Sequence, residues 1–207
     1  MFSSLPQEIQ TELHHLAQRY GQPIVHTADL RAFHSFNPLN KSDRYGEVCM
    51  VIQRKNGCLL VSKKTFYPPE AYRLPTGGIN HGESVYHALL RETYEETGLE
   101  FEVRRFLAAA AYRLPKLQEE PIFYTFAFLI DETGGTLNVI DTNERVEGFR
   151  EIEPEQLPSI ADHLEHPPSL YSSAIGGNWE DWGQFRAVIH RLVWQALAEG
   201  LDDNQAV

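Results

Sequence analysis

The stretch "GGINHGESVYHALLRETYEETGL" (residues 77–99) crowds three glutamates, Glu92, Glu95 and Glu96, into five positions near its end. Residues 84–97 carry a helical pattern. An α-helix advances about 100° per residue, so with Glu92 at zero, Glu95 falls near ~−60° and Glu96 near ~+40°. All three acids therefore share one face. Val85, Ala88 and Leu89 project on the same side. A helix that buries Val85 and Leu89 carries its glutamates to the edge of a core. Acids close to a helix C-terminus face the negative end of the helix dipole, which opposes them. Arg91 can reach Glu95 at i,i+4, but Glu92 and Glu96 have no local cation. A solvated helix end is the plain reading. The chemically sharper one is a divalent cation, Mg²⁺ or Mn²⁺, which suits clustered hard oxygen ligands.

The residues just before this helix, "LPTGGINHGE" (74–83), include three glycines. Glycine permits tight turns and close backbone approach to a ligand. A loop is expected here, offering a carbonyl to a metal or the N–H groups of Gly77 and Gly78 to a phosphate.

Loop and helix together resemble the Nudix box. That pattern runs glycine, five residues, Glu, seven residues, Arg-Glu, an apolar residue, any residue, Glu-Glu, any residue, Gly, apolar. Gly77, Glu83, Arg91, Glu92, Glu95, Glu96, Gly98 and Leu99 fall at the required places. Thr93 departs from it, a hydroxyl standing where an aliphatic side chain is usual, and is expected to affect packing more than chemistry. The resemblance implies an α/β (α+β) Nudix fold, a mixed β-sheet sandwiched between helices, over residues 44–160. It implies hydrolysis of a phosphoanhydride in a nucleoside diphosphate linked to another group. Glu92 and Glu96 would then lead the metal ligands, with Glu95 assisting, Glu83 bracing the join or coordinating through water, and the Thr76 carbonyl adding a ligand. Arg91 would orient a glutamate. The base would be a box glutamate or an acid on a later segment, for which Glu144 and Glu147 are candidates. Pro115, sixteen residues after Leu99, is similar to the pattern of ADP-ribose-cleaving members, although the glycine that usually follows it is missing.

Outward from the box, residues 5–20 read as a helix with Ser4 as N-cap, ended by Gly21. Residues 24–44 are mixed and partly extended. Residues 47–55 and 58–65 read as strands joined by a turn at Asn56-Gly57. Residues 65–78 read as loop, in which Phe66, Tyr67, Tyr72 and Arg73 are candidates to contact a base. Strands are expected at 101–113, 122–130 and 144–152, with a turn at 131–136 and a short helix start at 153–157. Residues 158–178 read as loop, so His163 and His166 are taken as exposed rather than as metal ligands. A last helix is expected over 179–198, stopped at Gly200. Its stripe of Trp182, Phe185, Ile189, Leu192, Val193 and Ala196 would pack on the core or on a second copy in a homodimer. The organisation expected is an extension over 1–43, the catalytic domain over 44–160, and a C-terminal loop and helix over 161–207.

The 207 residues include two cysteines, Cys49 and Cys58, and carry a net charge of −11. The cysteines would not face each other across the turn, so no disulfide is expected, and two buried apolar thiols are. The acidic balance argues against a nucleic-acid partner. No apolar run approaches the roughly 18–20 residues of a membrane span. The N-terminal residues lack signal-peptide features, so a cytoplasmic location is expected. Two further functions share the fold. A nucleotide-sensing module without catalysis would tolerate a damaged box, whereas this one keeps every acid. An isoprenoid diphosphate isomerase would want a positioned cysteine.

Overall fold

Runs of apolar residues with period two build the centre of the molecule. The computed structural model describes residue 2, residues 4–30, residue 39, and residues 44–115, 118–167 and 170–205. The elements are α1 (Gln7–Tyr20), β1 (Ile24–Asp29), β2 (Arg44–Gln53), β3 (Leu59–Lys64), β4 (Thr76–Asn80), α2 (Val85–Thr97), β5 (Leu99–Leu114), β6 (Gln118–Gly135), β7 (Val146–Ile152), α3 (Leu157–Glu165), β8 (Tyr171–Ser172), β9 (Gly177–Asn178) and α4 (Trp179–Gln205). Seven strands form one mixed sheet in the order β1-β5-β6-β2-β3-β7, with β4 pairing to β2. Strand β2 runs parallel to β6 and antiparallel to β4.

Alternation along β2 sorts its side chains onto two faces. Val48, Met50 and Ile52 pack with Leu13 and Leu16 of α1 and with Val85, Ala88 and Leu89 of α2. Cys49 and Val51 pack with α3 and α4 through Leu157, Ala161, Trp182, Phe185 and Ile189. The expected sheet between helices is therefore present, and the C-terminal aromatic stripe is buried within its own chain.

Helix α2 is anchored at its start by α1. Ser84 Oγ accepts the His87 N–H at 3.1 Å, while the two Glu12 carboxylate oxygens accept the N–H groups of Val85 and Tyr86 at 2.9 Å each. A carboxylate there satisfies orphan donors and favours the positive end of the helix dipole. Glu12→Ala should lower the unfolding free energy by about 1–2 kcal/mol, the usual cost of a lost cap. A urea midpoint equal to that of the unaltered protein would show that α1 does not anchor the box helix.

Several expectations need correction. Ser4 does not cap α1; Pro6 holds the cap position, and the Ser4 hydroxyl instead meets Tyr124 Oη. Residues 24–29, read without a clear element, form β1, an edge strand parallel to β5; residues 31–38 and 40–43 lie outside the described residues. The glycine-rich loop is in part strand β4, because Gly77 and Gly78 pair with Val48 and Glu47. The turn at 131–136 is mostly strand, since β6 continues to Gly135 opposite Leu99. Residues 157–165 form α3, with Leu157, Ala161 and Leu164 buried at helical spacing and Pro158 in the first turn, where its missing N–H costs little. His163 and His166 are exposed as expected. Helix α4 passes through Gly200, where a Cβ would lie 2.4 Å from Arg105 Nη1. That guanidinium donates to the Ala196 carbonyl at 3.0 Å, so glycine makes room for a side chain rather than stopping the helix. Both cysteines are free; Cys49 is buried but Cys58 is only half-buried.

Candidate active site

Helix α2 presents its acids as the residue spacing requires. Val85, Ala88 and Leu89 are fully buried under the sheet, and Glu92 and Glu96 follow them into the interior at 5% and 0% exposure. Glu95, to one side, is half-buried. Thr93 is buried, and its hydroxyl donates to the Leu89 carbonyl at 2.7 Å, so the departure from the box is absorbed within the helix.

Strand β4 explains the glycines. A Cβ on Gly77 would lie 2.1 Å from Glu92 Cδ, and one on Gly78 would lie 1.9 Å from Arg44 Nη1. A side chain at either position would have to displace Glu92 or Arg44, which cross the strand there. Thr76 begins the same strand, buried, with its hydroxyl accepting from Arg73 Nη1 at 3.0 Å.

Arg91 ties the box together. Its Nε and Nη2 donate to the two Glu83 oxygens at 2.8 Å each, its Nη1 donates to Glu92 at 2.8 Å and Glu95 at 3.0 Å, and its Nη2 also reaches the Gly78 carbonyl at 2.9 Å. Glu83 also accepts the Asn80 N–H at 3.1 Å. It is therefore a brace between the end of β4 and the helix, and its bonds to Arg91 hold its carboxyl below the usual range.

The C-terminal end of α2 receives the segment that follows β6. The N–H groups of Ile140 and Asp141 both donate to the Glu95 carbonyl at 3.0 Å, and Asn138 N–H donates to the Thr97 carbonyl at 2.9 Å. These bonds fill orphan carbonyls, and they also deliver Glu144, which lies in the 3-10 turn Thr142–Glu144. One carboxylate oxygen each from Glu92, Glu95 and Glu144 lies within 4.8 Å of the others. Glu147 goes elsewhere: it pairs with Lys63 at 2.8 Å and is 47% exposed. Of the two candidate bases, only Glu144 reaches the box.

Lys64, at the end of β3, is a functional neighbour the sequence did not disclose. Its Nζ lies 2.8 Å from Glu144 Oε2 and 3.2 Å from Glu96 Oε1. Among the described residues Lys64 is the one cation paired with Glu96, through Oε1. Burial raises the Glu96 carboxyl above the usual range, with Lys64 and Arg73 opposing. Burial likewise pushes Glu92 up to about 7 against the pull of Arg91. Glu144 is desolvated too, but Lys64 outweighs this and keeps it below the usual range. Five carboxylates thus share direct ion pairs with two cations, Arg91 and Lys64. A fully buried carboxylate paired with a single lysine, beside three more that converge, is a donor set that fits a hard divalent cation.

A cleft of about 210 Å³ adjoins the cluster, lined by Lys64, Arg44, Thr76 and Gly78 on the near side and by Phe66, Phe123 and Trp182 among others. At its floor Glu47 accepts from Thr125 at 3.0 Å and pairs closely with Arg186 of α4. Arg73, expected as a base contact, lines this cleft but is itself buried. It donates to Tyr67 Oη at 2.7 and 2.9 Å and to the Leu74 carbonyl at 2.7 Å. The Leu74 N–H in turn donates to His190 Nε2 at 2.9 Å. Arg73 is thus a buried support for the cleft wall. Cys49 is completely buried, and burial raises its thiol far above the usual range, which suits packing and not isomerase chemistry.

A family model described as "NUDIX domain" matches residues 44–172. The chain belongs to the Nudix family. The ADP-ribose pyrophosphatase of Methanocaldococcus jannaschii is 29% identical over 148 residues, which cover 70% of this chain and 81% of that one. Nudix hydrolase 2 of Arabidopsis thaliana is 37% identical over 73 residues, 34% of this chain and 26% of its own length. Among solved structures, a UDP-X diphosphatase covers 77% of this chain and 66% of its own, with 17% identity and a TM-score of 0.48. Among the described residues no helix of this Nudix protein is long and apolar enough to cross a membrane.

Proposed function

We propose that this Nudix pyrophosphohydrolase cuts the phosphoanhydride of a nucleoside diphosphate linked to a second group, with ADP-ribose as the leading substrate. The convergence of Glu92, Glu95 and Glu144 beside the fully buried Glu96 carries the reading. The choice of ADP-ribose rests on the similarity to the Methanocaldococcus jannaschii enzyme. Pro115 sits exposed in the turn after β5, and residues 116–117 lie outside the described ones, so it adds nothing to that choice.

Glu92, Glu95, Glu96 and Glu144 would hold Mg²⁺ or Mn²⁺. The cation, when bound, supplies neutralising charge for the diphosphate and Lewis acidity at the reacting phosphorus. The protein's own groups do the rest. Arg91 fixes the side chains of Glu92 and Glu95 before substrate arrives, which removes reorganisation from the reaction. Glu144 would offer one carboxylate oxygen to the cation and, with the other, accept the proton of the attacking water. Arg44 and Lys64 place positive charge along the cleft wall, and the aromatic side chains opposite give the nucleoside an apolar surface. An acidic protein can admit an anionic substrate because its site faces that substrate with cations.

Phosphate release should be measured on ADP-ribose, nucleotide sugars, dinucleotides and nucleoside triphosphates, with a coupled phosphatase and Mg²⁺ or Mn²⁺. Turnover of ADP-ribose that a chelator abolishes and added metal restores is the expected result. Turnover confined to another class would replace the substrate and keep the reaction. No turnover of any compound would favour a nucleotide-sensing role.

A further inference from the structure

We propose that Lys64 is a resident counter-cation of the carboxylate cluster, which holds Glu96 and Glu144 in the metal-free protein and is displaced into the cleft when a divalent cation takes them. The inference rests on the metal-site reading above. The geometry points to it from both sides. The Lys64 ammonium lies 2.8 Å from Glu144 and 3.2 Å from Glu96, two of the acids that would ligate the metal. Its side chain is only 14% exposed, and the same residue lines the neighbouring cleft.

The end of β3 sets this up. Lys63 and Lys64 pair with different acids, Lys63 with Glu147 and Lys64 with Glu144 and Glu96, across a register shift in the pairing with β7. A lysine ammonium is a compact point charge on a flexible stem, so it can swing between the carboxylates and the cleft. An ammonium and a dication compete where they need the same carboxylate oxygen, because their repulsion at a few ångströms inside a desolvated site is unfavourable. Arg73, buried close by and locked to Tyr67, cannot move to relieve it. Lys64 is the group free to yield, and the open side is the cleft, where an anionic diphosphate would arrive. The same charge would then serve two states in turn: it stabilises the empty cluster, and it meets the substrate once metal is in place. Loading of the metal before the substrate follows from this.

The test is Mn²⁺ binding by the full-length, metal-stripped protein, followed by calorimetry or by the signal of free Mn²⁺. Lys64→Met keeps the stem and removes the charge; Lys64→Arg keeps the charge. Lys64→Met should bind Mn²⁺ about 10-fold more tightly, as expected for one competing charge in a partly buried site, with Lys64→Arg close to the unaltered protein. Metal-free Lys64→Met should melt lower than the unaltered protein, and saturating Mn²⁺ should erase the difference. Its KM for the substrate that turns over should rise several-fold, with Lys64→Arg restoring it. Mn²⁺ affinity unchanged or weakened in Lys64→Met overturns the role of Lys64 alone. Failure of the unaltered protein to bind Mn²⁺ overturns the metal-site reading and this inference with it.

Discussion

Replacing Glu96 with glutamine should lower kcat/KM on the order of 10³-fold, about 4 kcal/mol of transition-state stabilisation at ~1.4 kcal/mol per tenfold, while leaving the metal-free fold intact. The two effects separate for a physical reason. Glu96 is completely buried, and among the described residues Lys64 is the one cation paired with it. A carboxylate so placed contributes little to folding, because desolvation and the nearby Glu144 outweigh the attraction of Lys64 and Arg73 for its charge. Glutamine has the same shape and no charge, so its unfolding free energy should fall by no more than about 1 kcal/mol, and a rise would fit the argument. Activity measured at limiting Mg²⁺ beside a thermal melt without metal gives both readings. Full activity in the variant would remove Glu96 from the ligand set. A collapse of the melt would show that Glu96 is a structural group.

Arg91→Ala should do the opposite and damage fold and activity together. The guanidinium pairs with Glu83, Glu92 and Glu95 and bonds the Gly78 carbonyl. Its removal leaves three carboxylates facing one another at the junction of β4 and α2. With 31% of the Arg91 side chain exposed, solvent relieves part of that repulsion, so a loss of about 2–3 kcal/mol is expected in urea unfolding, below the cost of breaking a fully buried pair. Activity should fall on the order of 10²-fold, since Glu92 and Glu95 lose their fixed positions, a preorganisation effect of the size seen for single oriented groups. Arg91→Lys keeps the charge but cannot span both Glu83 oxygens and the helix acids at once. It should recover most of the stability and less of the activity. Equal recovery of both would mean that charge, and not the fork, is what the site uses.

Legibility in the sequence followed the range of the interactions. The acidic face of α2 was readable because helix spacing alone places Glu92, Glu95 and Glu96 together with Val85 and Leu89. Arg91 to Glu95 was readable for the same reason, whereas Arg91 to Glu83 spans the helix start and emerged only in three dimensions. Strand β1 was missed because its pattern alternates weakly on an exposed sheet edge. Helix α3 was missed because Pro158, Ser159 and the histidines suggested loop, although the short stripe of Leu157, Ala161 and Leu164 was present. Gly200 was read as a stop, but a glycine in a helix costs only about 1 kcal/mol relative to alanine, which tertiary packing overrides.

Local periodicity and the box spacing therefore determined the mixed fold, the family and the three acids of the helix. Tertiary structure decided which distant groups join them. It chose Glu144 over Glu147 through backbone bonds that dock residues 138–141 on the end of α2. It brought Lys64 to Glu96 from a strand some thirty residues away, and it turned Arg73 from a candidate base contact into a buried support. Such pairings depend on which segment meets which end of a helix, and in one dimension two neighbouring lysines or two nearby glutamates are equivalent until the fold gives each a different partner.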